Sequence, residues 1–93
     1  VRVIRRIVVK GRVQGVWYRG WTQQQARAIG LDGWVRNRGD GSVEIVVAGS
    51  EQGVTDLIAR CHQGPPAARV DQVSVEDYDG DIADNFVIDP SRK

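Results

Sequence analysis

The sequence predicts an α+β domain whose elements run β-α-β-β-α-β, with a short extra strand at the C-terminal end. Three observations lead there. β-branched residues alternate over positions 4–10, with Ile7 and Val9 on one face and Ile4 and Val8 on the other. Two later stretches carry apolar residues at helical spacing: Tyr18, Thr22, Gln25/Ala26 and Ile29, then Val54, Leu57, Ile58 and Cys61. Between them, two β-rich runs flank Arg38-Gly39-Asp40-Gly41, and Asp-Gly between strands is a strong hairpin signal. Two helices covering one face of an antiparallel sheet in this order form the ferredoxin-like split βαβ arrangement.

Each element has its own punctuation. The first strand is interrupted by Gly11-Arg12-Val13-Gln14-Gly15-Val16, and a helix is expected over residues 18–29. Gln23, Gln24 and Arg27 fall on its outer side, and Gly30 is placed as its stop. Strands are expected over residues 31–38 and 42–48, the latter with Val43, Ile45 and Val47 on one face. Ser50 suits the N-cap of the second helix, which Gly64-Pro65-Pro66 ends. Residues 69–77 read as a fourth strand carrying Val73 and Val75. Phe86-Val87-Ile88 adds an edge strand that Pro90 stops.

At 93 residues, positions 1–93 are expected to form one domain with no room for a second core. One cysteine, Cys61, and one histidine, His62, exclude an internal disulfide and a Cys/His zinc cluster within the chain. No apolar run is long enough to span a membrane as a helix, so a cytoplasmic location is the expectation. Residues 1–38 hold nine Lys/Arg and one acid, a net +8, whereas residues 39–93 hold four basic and eleven acidic side chains, a net −7. A cationic half suits an anionic ligand, and the two halves also suit each other.

The segment from Gly11 to Arg19 carries the chemical signal. It is bounded by glycines, feeds a helix N-terminus, and places an arginine in the first helical turn. Unpaired amides and the positive end of the helix dipole favour an anion there. Consecutive loop amides can curl around phosphate oxygens, and the planar fork of Arg19 can hold two of them. An ordinary strand-to-helix turn with a solvated arginine reads the same from these residues alone. No Gly-Lys-Ser/Thr follows, so the loop is not of the Walker type.

The run Gly-Arg-Val-Gln-Gly-Val-Trp-Tyr-Arg at positions 11–19 closely resembles the acylphosphatase signature, Gly-x-Val-Gln-Gly-Val-x-Phe/Tyr-Arg. A second block, from Gly30-Leu31-Asp32-Gly33-Trp34-Val35-Arg36-Asn37 through Asp40-Gly41 to Val43-Glu44, also resembles that family, as does the terminal Asn85-Phe86-Val87-Ile88. The resemblance covers nearly the whole chain. It implies an enzyme that hydrolyses small acyl phosphates, with no metal, no cofactor and no phosphoenzyme. By the same resemblance Arg19 matches the phosphate-binding arginine and Asn37 the asparagine that orients the attacking water. Val13, Gln14, Gly15, Val16, Trp17 and Tyr18 would supply backbone amides to the phosphate. The implied partners are a small acyl phosphate and, as product and inhibitor, inorganic phosphate, with neither nucleic acid nor membrane, and the chain would stand as a monomer. The competing reading is a non-catalytic anion-binding or regulatory domain on the same scaffold. Four features depart from the family pattern: Tyr18 in place of the commoner Phe, Gly20 where a larger residue is usual, Arg38 after Asn37, and the Asp89-Pro90 ending.

Other reactive or aromatic residues read as structural. Cys61 lies on the apolar stripe of the second helix and is expected as a small buried hydrophobe. His62 sits in that helix's last turn, where a cation is favoured. Trp21 and Trp34 are expected to pack and Trp17 to shield the loop. No RNP1-type aromatic run is present. The acidic run from Glu76 to Asp81 reads as a solvated turn.

Overall fold

A computed structural model describes residues 2–89, so Pro90, expected to stop the last strand, lies outside the described residues. The elements are β1 (Arg2–Arg12), α1 (Tyr18–Ile29), β2 (Asp32–Asn37), β3 (Val43–Ser50), α2 (Glu51–Cys61), β4 (Arg69–Asp77) and β5 (Phe86–Ile88). Strand β1 extends past the apolar alternation at both ends. Arg2 pairs with Ser50 and Arg12 with Arg69, so ladder bonds continue where side chains no longer report a buried face.

The strands lie in the order β4-β1-β3-β2-β5. The first four pair antiparallel, as the ferredoxin-like pattern requires. The short extra strand β5 instead joins β2 in parallel, making the five-stranded sheet mixed. Strand β4 ends at the same end of the sheet at which β2 begins. The chain crosses there to the far edge and must leave in the direction of β2. Asn85 secures the crossing: its amide donates to Asp32 Oδ1 at 2.7 Å, and its carbonyl accepts from Gly33 N at 3.0 Å.

Both helices cover one face. Ile7, Val9, Val35, Val43, Ile45, Val47 and Phe86 of the sheet pack against Tyr18, Ala26, Val54, Leu57 and Cys61 of the helices. Ser50 caps α2 as expected, its hydroxyl accepting from Gly53 N at 3.0 Å. On the outer side of α1, Gln23 and Arg27 are not simply solvated: both donate to the Phe86 carbonyl, at 3.3 and 3.0 Å. They tie the helix to β5 through a backbone group on the open side of this edge strand.

The opposite face has no helix, yet Val8, Val46 and Ala48 are buried there and Glu44 is only 4% exposed. Arginine stems provide the cover. Arg6 and Arg36 both bond the Glu44 carboxylate, the latter at 2.6 Å, and Arg36 lies 5.0 Å over the Trp34 ring. Arg6 also pairs with Glu76 at 2.8 Å and Arg5 with Asp77 at 3.2 Å, so much of the charge asymmetry is met within the fold.

Burial works against the charge on Glu44, but the hydrogen bonds from Arg6 and Arg36 outweigh it and hold its carboxyl below the ordinary value. A depressed folded pKa contributes stability above the unfolded value of about 4.3, and that contribution is lost as pH falls through the folded pKa. Glu44→Gln is therefore expected to cost about 2 kcal/mol at neutral pH. This is less than for a fully buried pair, because both arginines stay partly in water. The variant should also show a shallower loss of stability in acid. Urea titrations of both proteins at pH 7 and below pH 4 check this, and equal midpoints at pH 7 would refute it.

Candidate active site

The loop between β1 and α1 is shaped by what it buries. Val13 and Val16 enter the core, 1% and 9% exposed, and leave Gln14-Gly15 spanning the surface between them. Gly15 (φ 75°) and Trp17 (φ 69°) are both left-handed, which turns the chain sharply into the helix. For a tryptophan that conformation is uncommon and is held by its surroundings. Trp17 is the N-cap of α1, its side chain makes no capping bond, and the first turn holds no acid. The positive end of the helix is therefore not neutralised from within.

A second element is fastened to this loop. Gln14 Nε2 donates to the carbonyls of Arg38 and Ser42 at 2.8 and 2.9 Å, tying the loop to the β2–β3 hairpin. The hairpin is closed by Arg38 N donating to Ser42 O at 2.9 Å. Asp40 Oδ1 accepts from the Ser42 hydroxyl at 2.6 Å and from its amide at 3.0 Å, and these bonds hold the Asp40 carboxyl below its ordinary pKa. Asn37 ends β2 opposite Val43, immediately before the hairpin turn.

The C-terminal ends of β1, β2 and β5 and the start of α1 meet around a cavity of about 270 Å³, lined by Val13, Gly15, Trp17, Tyr18, Arg19, Gly20, Asn37 and Ile88. Arg19 is exposed and makes no hydrogen bond or ion pair among the described residues. Asn37 Oδ1 is buried, and among the described residues it is the one buried side-chain polar atom without a hydrogen-bond partner. An orphaned carbonyl oxygen costs about 1–3 kcal/mol unless something donates to it.

Of the residues predicted from sequence, the cavity brings together Val13, Gly15, Trp17, Tyr18, Arg19 and Asn37, whereas Gln14 faces the hairpin and Val16 the core. Two lining residues, Gly20 and Ile88, escaped sequence reading. Gly20 left a trace as an unexpected glycine three residues after Trp17. Ile88 left none, because its place depends on the parallel pairing of β5.

Of the residues read as structural, Cys61 and Trp21 pack as expected, whereas Glu76 and Asp77 of the acidic run end β4 and pair with Arg6 and Arg5 instead of forming a solvated turn. Cys61 is fully buried, and burial pushes its thiol pKa up to about 12. Tyr18 donates its hydroxyl to the Cys61 carbonyl at 2.7 Å, so the phenol that replaces the commoner Phe has a buried partner. Burial also raises the Tyr18 pKa far above its ordinary value. Trp21 packs edge-on against Tyr18 with ring centroids 5.4 Å apart. His62 is exposed at the end of α2, and neither it nor Cys61 lines the cavity. Among the described residues no helix is long and apolar enough to cross a membrane.

Comparison with known proteins agrees with this fold. The sequence profile of the Acylphosphatase family matches residues 5–88. An acylphosphatase of Rhizorhabdus wittichii is 58% identical over 90 residues, covering 97% of this chain and 91% of that protein. Among solved structures, an acylphosphatase from Coxiella burnetii superposes with a TM-score of 0.90 at 31% identity, covering 95% of this chain and 93% of that one. The Bacillus subtilis acylphosphatase gives 0.87 at 37% identity, covering 92% and 97%. With a profile match over most of its length and a relative of this identity, the chain belongs to the acylphosphatase family and is an enzyme of that kind.

Proposed function

We propose that the cavity hydrolyses the carboxyl–phosphate bond of small acyl phosphates by direct attack of water, with Arg19 holding the phosphoryl group and Asn37 orienting the water. The observation that carries this reading is the pairing of an uncommitted guanidinium with an orphaned amide oxygen in one cavity at an uncapped helix N-terminus. An anion satisfies Arg19, the helix end and the loop amides together. A water donating to Asn37 Oδ1 satisfies the amide.

The chemistry suits these groups. The water oxygen attacks phosphorus, the bond from phosphorus to the acyl oxygen breaks, and the carboxylate departs with that electron pair. The proton of the attacking water passes to a phosphoryl oxygen, giving dihydrogen phosphate and a carboxylate. A carboxylate is already a good leaving group, so no strong general acid is needed. The protein mainly spreads phosphoryl charge and places the water in line. A neutral amide does the second task without repelling the substrate, as an aspartate at 37 would. The same contacts make inorganic phosphate a competitive product inhibitor.

The test is phosphate release from benzoyl phosphate in the presence of chelator, comparing the wild type with Asn37→Ala. The variant is expected to lose about a hundredfold in kcat, in line with removing one oriented polar contact to the reacting group. Its inhibition constant for inorganic phosphate should stay within about threefold, since the phosphoryl contacts remain. A variant that turns over normally, or one that stays folded but loses phosphate, would overturn the role given to Asn37. A wild type that binds phosphate without turnover would favour a non-catalytic anion-binding domain.

A further inference from the structure

Beyond the phosphoryl contacts, we propose that the Trp17 side chain, seated on Gly20, forms the acyl-side wall of the cavity and selects acyl phosphates whose acyl group is flat, apolar and uncharged. The inference rests on the reading of the cavity as an acyl phosphate site, and concerns the half of the substrate that Arg19 and Asn37 do not address.

Among the described residues three large hydrophobic side chains are exposed, Trp17 at 57%, Val75 and Val87, and of these Trp17 lines the cavity. The indole does not hang free. A Cβ at Gly20 would overlap the indole nitrogen and come within 2.8 Å of its Cδ1 and Cε2 atoms. The ring therefore lies against the first turn of α1, in space that a side chain at position 20 would occupy. The left-handed backbone at Trp17 (φ 69°) aims the side chain there. A glycine inside a helix is unfavourable for the helix, and here it makes room for the ring.

The remaining lining divides by character. Arg19 and Asn37 are polar, whereas Val13 and Ile88 are apolar. Among the described residues, Arg19 is the only cation that lines the cavity. With that cation on the phosphoryl group, a second anionic group on the acyl portion finds no partner among the described lining residues. An apolar acyl group, and above all an aromatic ring, finds a pre-positioned face to stack on.

Acylphosphonates test this without turnover, because the carbon–phosphorus bond is not hydrolysed. Calorimetry would give the dissociation constants of benzoylphosphonate, acetylphosphonate and inorganic phosphate for the wild type, Trp17→Ala, Trp17→Phe and Gly20→Ala. The wild type is expected to bind benzoylphosphonate about tenfold more tightly than acetylphosphonate. Trp17→Ala should bring that ratio to about one, and Trp17→Phe should keep most of it. Gly20→Ala should narrow it by displacing the ring. A ratio that survives in Trp17→Ala, or a wild type without preference that still binds phosphate, would overturn the wall while leaving the phosphate site standing. Failure of the wild type to bind any of the three would overturn both.

Discussion

Arg19→Lys is expected to lower kcat/KM for benzoyl phosphate by about a hundred- to thousandfold, a loss of about 3–4 kcal/mol of transition-state stabilisation. Lysine keeps the charge, so the loss measures geometry. A guanidinium presents two parallel N–H groups to two phosphoryl oxygens, and an ammonium acts as a point charge on a flexible stem. Arg19 is exposed and bonds nothing in the protein among the described residues. The melting temperature should therefore barely move, which separates this loss from unfolding. Inhibition by inorganic phosphate should weaken as well, in contrast to Asn37→Ala. Steady-state kinetics with a thermal melt on the same preparation decide the matter. Near-normal activity in folded Arg19→Lys would remove the arginine from its role.

Gly33→Ala is expected to be the most destabilising single methyl addition in the sheet. Gly33 holds φ 135°, a region that L side chains rarely adopt. It sits between two partners, pairing with Val47 on β3 and Phe86 on β5. A Cβ there would overlap the Val46 carbonyl oxygen and lie 2.9 Å from its carbon, and backbone in a central strand cannot give way cheaply. Strain and overlap together amount to about 4 kcal/mol, or roughly 15–30 °C in melting temperature for a domain of this size. A drop of less than about 5 °C would show that the strand relaxes freely. Some activity should go with the stability, because β2 delivers Asn37 to the cavity.

Much of the fold was legible along the chain. The hairpin at Asp40-Gly41, the cap at Ser50 and the helix over residues 18–29 all follow from local chemistry and fall where expected. The face assignment of Val43, Ile45 and Val47 also follows, because a strand's alternation survives in any context. The direction of β5 was not legible. Three residues carry no mark of parallel or antiparallel pairing, and the choice depends on where β4 ends. Nor did periodicity reveal the burial of Glu44, since a charged residue on a face without helices reads as solvated until two arginines close over it.

The sequence by itself determined the order of elements, the glycine-bounded loop with Arg19 at its end, and the resemblance that pointed to Asn37. These depend on neighbours in the chain, where spacing is geometry. Only the tertiary structure decided that, among the described residues, Arg19 has no partner and Asn37 Oδ1 is orphaned, and that Ile88 and Trp17 share their cavity. Whether a charge is paired or a polar atom satisfied is a property of everything within a few ångströms. In this fold that neighbourhood is assembled from three strand ends and one helix start, up to 75 residues apart between Val13 and Ile88.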